Sequence, residues 1–305
     1  MNVITRGDMD GLICTVLLSM VEEIREIKFA HPKDAQDGMI PAASDDIVVN
    51  LPYLAGCGKW FDHHVSESGK VEGIGQFDGR FAKAPSCARV IYDYYTPSRF
   101  AHYPGIDAMM DAIDRLDSAQ LTVEDVTNPE GWILLGLTLD PRTGLGPEFR
   151  KYFRWLAEYI KELPLEKVLK HPEVKKRTDR VLAEQAEFRA ILKDNSHLEG
   201  NVVLTDFRGK KNLPVGNRFL VFSMYPASNV EVRLFDGFQG KVVLAAGKSI
   251  FNRTCKVSCG ELLAKFGGGG HAGAGTCQLE PTHAEQAIGT IVETFKRNEP
   301  LGSQE

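Results

Sequence analysis

The chain has 305 residues, 43% of them hydrophobic and 25% charged, with a net charge of -5. That charge argues against a surface dominated by phosphate-neutralising cations, although a local basic groove is compatible with it. The length favours two modest cores over one large one, because single cores stop growing near about 250–300 residues.

Asn2–Thr5 is a short apolar run, RGDMDG a polar turn, and LICTVLLSMVEEIREI carries helical periodicity, so the chain opens strand, loop, helix. IKFAHP and DIVVNLPY each read as a strand, and KWFDHHVSES ends a third apolar run in a histidine-bearing loop. Strands alternating with helices predict βαβ units and a mostly parallel sheet, whose ligands collect beyond the strand ends. From SCARVIYDYY through DAMMDAIDRLDSAQL and GWILLGLTLD the pattern is mainly helical. It stays helical over residues 148 to about 192, broken at Pro164 and Pro172, and KDNSHLEGN follows as a polar connection. VVLTDF, RFLVFSMY, VEVRLF and KVVLAA then read as short strands, CGELLAKF and AEQAIGTIVETFKR as helices, and NEPLGSQE as a frayed tail. The fold class is therefore α/β: a mostly parallel sheet flanked by helices plus a helical connection over 1–195, then a smaller α+β domain over 196–305.

No apolar run reaches the roughly 18–20 residues of a membrane span. Acidic residues in MNVITRGDMDG interrupt the start before a signal-peptide core could form. The six cysteines include no CxxC pair and read as small buried hydrophobes of a reducing compartment. A cytoplasmic protein without a membrane partner is expected, and a homodimer on base rate alone.

Asp8 and Asp10 flank Met9 in a strand-to-helix loop closed by Gly11. Two carboxylates one residue apart repel unless a divalent cation sits between or beside them, although ordinary turns share the pattern. Asp62, His63 and His64 at a strand end suit a metal ligand plus a phosphate-facing donor, or else a solvated loop with a helix cap. Asp111, Asp114 and Asp117 recur every third residue on a helix, which alone reads as a solvated face. GGGGHAGAG, residues 267–275, has six glycines in nine positions. It reads as an open loop whose amides can approach an anion, with His271 adding a side-chain donor.

With DMDG, FDHH, DRLDSA and GGGGHAGAG in this order, the sequence resembles the DHH phosphoesterases with their DHH-associated C-terminal domain, over nearly its whole length. The resemblance implies a metal-dependent phosphoesterase acting on a small phosphorylated substrate: a short single-stranded oligonucleotide, a nucleotide or a polyphosphate. It also implies two divalent ions, commonly manganese, in the N-terminal domain, and a substrate held by the C-terminal domain across an interdomain cleft. Carried over by motif, Asp8 and Asp10 look like the first metal ligands. His63 looks like the metal-binding imidazole, His64 like its phosphate-facing neighbour and Asp62 like a supporting carboxylate. Asp117 resembles the fourth-motif ligand, with Asp114 as the alternative. His271 with Gly268, Gly269 and Gly270 resembles the substrate phosphate clamp, and Arg253 the arginine upstream of it.

Two positions depart from the family together. Arg6 stands where the first motif has a histidine ligand, and Asn50 where the second has a metal-bridging aspartate; Asp45 and Asp46 are poor substitutes. Arginine cannot ligate a metal and keeps its proton at any working pH. One ion held by Asp10, His63 and Asp117, with Asn50 adding its amide oxygen, would return such a cluster to neutrality. Arg6 would then pair with Asp8 or with a substrate phosphate. The altered site also raises the alternative of a catalytically weakened nucleotide or phosphate sensor.

Overall fold

The structure, a computed structural model, describes residues 1–140 and 145–301, so the end of the tail expected to fray, 302–305, lies outside the described residues. It divides into two compact units: Met1–Gln120 with Pro129–Arg180, and Leu121–Asn128 with the chain from Val181 onward.

The first unit runs β1 (Asn2–Thr5), α1 (Met9–Val21), β2 (Glu26–Phe29), α2 (Pro32–Gln36), β3 (Asp46–Val49), β4 (Lys59–Asp62), α3 (Ser68–Ile74), β5 (Gly79–Phe81), α4 (Cys87–Tyr94) and α5 (Ile106–Asp117). After the short α6 (Val123–Thr127), which belongs to the second unit, it continues through α7 (Gly131–Leu137), α8 (Pro147–Glu162), α9 (Leu165–Lys170) and into α10 (Pro172–Asn195). Its five strands form a wholly parallel sheet in the order β2-β1-β3-β4-β5. Every residue of β1 and β3 is buried, as central strands of a sheet covered on both faces must be. Leu12, Ile13, Val16, Leu17 and Leu18 are likewise fully buried, which is why α1 is apolar nearly all round. The chain steps from β1 to β2 on one side, then returns to place β3 on the other. The strand order thus reverses between β1 and β3, the position where parallel sheets open a crevice for ligands.

The helix expected to run to residue 27 ends at Val21. Glu22 is extended, and Glu26–Phe29 is drawn into parallel pairing with β1, so strand pairing claims the end of that apolar run.

The second unit adds β6 (Ser196–Glu199), β7 (Val202–Asp206), α11 (Leu220–Met224), β8 (Val230–Asp236), β9 (Val242–Lys248), α12 (Cys259–Ala264), β10 (Gly269–His271), β11 (Ala274–Leu279) and α13 (Ala284–Arg297). Its sheet has the order β10-β11-β9-β8-β7-β6 and is parallel only between β7 and β8. Val230, Val232, Leu244, Val257, Ile291 and Phe295 are fully buried in its core.

Three expectations change here. RFLVFSMY, read as a strand, contains the helical turn α11, started by Asn217, whose side-chain oxygen accepts from Phe219 N at 3.0 Å. Short apolar runs do not distinguish the two states. The polar connection after α10 holds an edge strand, β6, paired to β7. The glycine run is not an open loop: Gly269, Gly270 and His271 pair with Thr276, Gly275 and Ala274. A Cβ at Gly268 would meet Thr276 O at 2.1 Å, one at Gly270 would meet Ala274 O at 2.4 Å, and one at Gly260 would meet Gly270 C at 2.5 Å. The first turn of α12 therefore lies directly on the hairpin backbone. Part of the glycine content answers to packing.

Candidate metal centre

The loops leaving the C-terminal ends of β1, β3 and β4 bring their polar side chains together beside the end of α5. Asp8 caps α1: its Oδ1 accepts from Gly11 N at 2.9 Å and from Asn50 Nδ2 at 3.0 Å. Its Oδ2 lies 3.0 Å from Arg6 Nε. Gly11 is required because a Cβ there would meet Arg6 O at 2.2 Å. Asn50 directly follows β3 at φ 55°, a left-handed backbone that asparagine tolerates better than most residues. A carboxylate only accepts, so the NH2 of Asn50 faces Asp8 and its Oδ1 is left buried without a hydrogen-bond partner.

Asp10 lies in the first turn of α1 and is 2% exposed. Its Oδ2 accepts from Cys87 N at 2.9 Å and its Oδ1 from Ala88 N at 2.8 Å. These are the first amides of α4, and a helix N-terminus favours an anion. Burial and the neighbouring Asp117 act the other way and raise the Asp10 pKa to about 8.

His63 donates Nδ1–H to Ala84 O at 3.0 Å, a backbone oxygen that can only accept, which leaves the Nε2 lone pair for a metal. Nε2 stands 3.1 Å from Asp117 Oδ2 and 3.8 Å from Asp10 Oδ2, and makes no well-formed hydrogen bond. Burial opposes protonation of His63, but Asp117 and Asp10 outweigh it and lift its pKa to about 9. One ligand atom from each of Asp10, His63 and Asp117 falls within 4.8 Å of the others. A buried imidazole nitrogen without a hydrogen bond between two carboxylates fits a divalent cation.

Asp114, the other acidic residue considered, is engaged elsewhere: it accepts from Ser86 Oγ at 2.7 Å and from Arg89 Nε at 2.9 Å and Nη2 at 2.6 Å. Asp111 pairs with Arg115 on the surface. Asp46 is bonded to Asn2, Lys28 and Ala43 N at the opposite end of β3 from Asn50, and Asp45 pairs with Arg25. Asp62 is fully buried and holds His64 Nδ1 at 2.7 Å. Burial opposes protonation of His64, but Asp62 overcomes it and raises the pKa above the usual histidine value.

Sequence reading missed the backbone groups that hold the centre, Ala84 O and the amides of Cys87 and Ala88. The one available signal was Ser86, an N-cap residue before an apolar helical run, whose side chain accepts from Arg89 N. It also missed that Cys14 and Cys87 lie against Asp10, with Cys14 Sγ 3.8 Å from Asp10 Oδ1.

In the second unit, His271 and Gly270 are exposed on β10 and Gly269 is half-buried there. Arg253 donates Nε–H to Ile250 O at 3.0 Å and lines a cavity of about 650 Å³ within that unit. Phe219, Phe222, Phe235, Arg218 and Lys248 line the same cavity. Among the described residues no helix is long and apolar enough to cross a membrane.

No protein-family model matches the sequence, and no curated protein does. Solved structures do. The pGpG-specific phosphodiesterase PggH from Vibrio cholerae is 35% identical, covers 98% of this chain and 99% of its own, and superposes with a TM-score of 0.88. A DHH domain from a protein assigned to a family of ribosomal proteins shares the fold at 12% identity, covering 98% of this chain and 87% of its own with a TM-score of 0.58. RecJ from Thermus thermophilus in complex with Mn2+ aligns at 14% identity over 97% of this chain and 52% of its own, with a TM-score of 0.45.

Proposed function

The chain belongs to the DHH phosphoesterases, and from that premise we propose that it hydrolyses the internal phosphodiester of a short 5′-phosphorylated oligonucleotide, with pGpG as the leading substrate. The observation that carries this reading is the convergence of Asp10, His63 and Asp117, whose ligand atoms lie within 4.8 Å of one another. These three would hold a divalent cation, with Asn50 Oδ1 as a further oxygen donor. Carboxylate and imidazole donors suit manganese, our first choice, and equally iron, zinc or cobalt. When bound, such an ion polarises a phosphoryl oxygen and lowers the pKa of water.

In the reaction a water oxygen bonds to phosphorus, the P–O3′ bond breaks, and the leaving oxygen gains a proton. His64 is our choice for the proton donor and phosphate contact. Asp62 fixes its Nδ1, leaves Nε2 available and favours the protonated ring. His271, Gly268, Gly269 and Gly270, with Arg253, would hold a substrate phosphate. The Phe219, Phe222 and Phe235 rings with Arg218 and Lys248 offer stacking and charge for a nucleotide. All six cysteines are free, which supports a reducing cytoplasm. A homodimer is the assembly we expect.

The test is turnover of pGpG, longer oligoribonucleotides, phosphoadenosine phosphate, a cyclic dinucleotide and polyphosphate with added Mn2+. Mononucleotide release that is fastest from the dinucleotide is expected. Binding without turnover on every compound would favour the sensor reading that Arg6 and Asn50 raise.

A further inference from the structure

We propose that Arg6 places a fixed positive charge on the substrate's scissile phosphate where a second divalent ion would otherwise act, and that Asp8 and Asn50 position it. This deepens the phosphoesterase reading and concerns how that same site is charged.

Asp8 is the acidic residue best placed by sequence to hold a second ion, and both of its oxygens are already engaged, Oδ1 by hydrogen bonds and Oδ2 by an ion pair. Gly11 N and Asn50 Nδ2 donate to Oδ1, and Arg6 Nε approaches Oδ2 at 3.0 Å. The two hydrogen-bond donors and the ion-paired guanidinium come from three segments, the first turn of α1, the loop after β3 and the loop after β1. A cation entering there would have to displace a guanidinium. Asn50 offers no compensation: it is neutral, and its donor side faces Asp8.

Charge leads to the same count. The carboxylates of Asp8, Asp10 and Asp117 are balanced by Arg6 together with one divalent ion. A second divalent ion would leave two positive charges uncompensated beside the buried Asp10, which is costly.

Arg6 is also equipped to do more than satisfy Asp8. Only its Nε is engaged, the side chain is 40% exposed, and the terminal nitrogens have no partner among the described residues. A guanidinium presents parallel N–H donors that match two oxygens of a phosphate. Asp8 holds the base of that fork at the N-cap of α1, two residues before Asp10. Asp8 and Asn50 are positioning residues: they aim Arg6 and do not themselves meet the substrate.

The test combines metal content with substrate affinity, read without turnover by calorimetry on phosphorothioate-linked pGpG. Wild-type protein should hold one Mn2+ per chain, with the electron paramagnetic resonance signal of an isolated ion. Arg6→His combined with Asn50→Asp should take up a second ion and show exchange coupling between the two. Arg6→Ala should keep one ion but bind the dinucleotide about tenfold more weakly, as expected for a lost charge-assisted pair. Arg6→Lys should recover part of that loss. Two tightly bound ions in the wild type would overturn the proposal, as would unchanged affinity in a folded Arg6→Ala variant. Turnover of pGpG alongside two ions would sink this inference and leave the function standing; one ion with no turnover of any compound would do the reverse.

Discussion

Asn50 donates its amide to Asp8 across 3.0 Å, tying the loop after β3 to the loop after β1 on neighbouring parallel strands. The bond crosses the point where the strand order reverses, so one interaction links the sheet topology to the chemistry of the centre. It turns Asp8 into a fixed anchor and leaves Asp10, in the first turn of the helix that Asp8 caps, as the carboxylate that faces His63 and Asp117.

Asp10 should matter for stability as well as for metal binding. Asp10→Ala strands the amides of Cys87 and Ala88, and a buried donor without a partner costs about 1–3 kcal/mol. Urea unfolding of metal-free protein should show a loss of about 2–4 kcal/mol. Asp10→Asn, which keeps one acceptor oxygen, should fall between the two. An Ala variant as stable as wild type would mean that these amides do not depend on Asp10.

His63 and Asp114 should separate cleanly. His63→Ala is expected to lower divalent-ion affinity at least tenfold to a hundredfold, the scale seen when a metal site loses supporting groups. Asp114→Asn weakens the contacts to Ser86 and Arg89 and should lower the unfolding midpoint while ion content stays unchanged. Loss of the ion in the Asp114 variant would mean that the acidic ligand has been misassigned.

Metal affinity should rise with pH. In the metal-free centre His63 titrates near 9 and Asp10 near 8, so at neutral pH protons occupy groups that a cation needs. A cation must expel those protons below these values and finds the groups free above them. Binding should therefore tighten steadily between about pH 6 and pH 9 and release protons. Calorimetry in buffers of different ionisation enthalpy reads both effects, and a flat affinity across that range would contradict the assignment.

Asp46 should contribute to acid stability. Burial pushes its carboxyl up, but bonds from Lys28, Asn2 and Ala43 N prevail and hold its pKa below the ordinary value of 3.8. A group with a depressed folded-state pKa stabilises above the unfolded value, and the contribution disappears as pH falls through the folded value. Asp46→Asn should therefore be less stable than wild type at neutral pH, and the gap should close as pH falls from 3.8 through the depressed folded-state value. A gap that persists in acid would point to a cause other than ionisation.

The glycine hairpin offers a contrast between packing and ligand approach. Gly270 has φ 144° and a Cβ there would meet Ala274 O at 2.4 Å, so Gly270→Ala should destabilise the second unit by about 1–3 kcal/mol. Gly269 has open space at the Cβ position, so Gly269→Ala should leave the melting temperature unchanged. If that variant nevertheless binds pGpG more weakly, the glycine serves the ligand; equal affinity would confine the run to a packing role.

Much of this was legible in the sequence because the motifs lie on strands whose apolar runs are unambiguous. Asn2–Thr5, Asp46–Val49 and residues 60–62 are buried, their apolar residues are β-branched or aromatic, and they place Asp8, Asn50 and His63 at strand ends. What failed was polar or short. Ser196–Glu199 is a half-exposed edge strand without apolar alternation, and Gly79–Phe81 is a three-residue edge strand. The glycine run disguised a strand because its side-chain signal is absent by necessity, with α12 pressed against its backbone. The grip of Cys87 and Ala88 on Asp10 was invisible because backbone amides leave no trace in residue identity.

The central claim is that Asp10, His63 and Asp117 share one cation. Anomalous diffraction from crystals grown with Mn2+ tests it most directly. One peak in bonding contact with His63 Nε2 and an oxygen of each carboxylate is the expected result. Density for manganese elsewhere, with these three side chains turned apart, would contradict it.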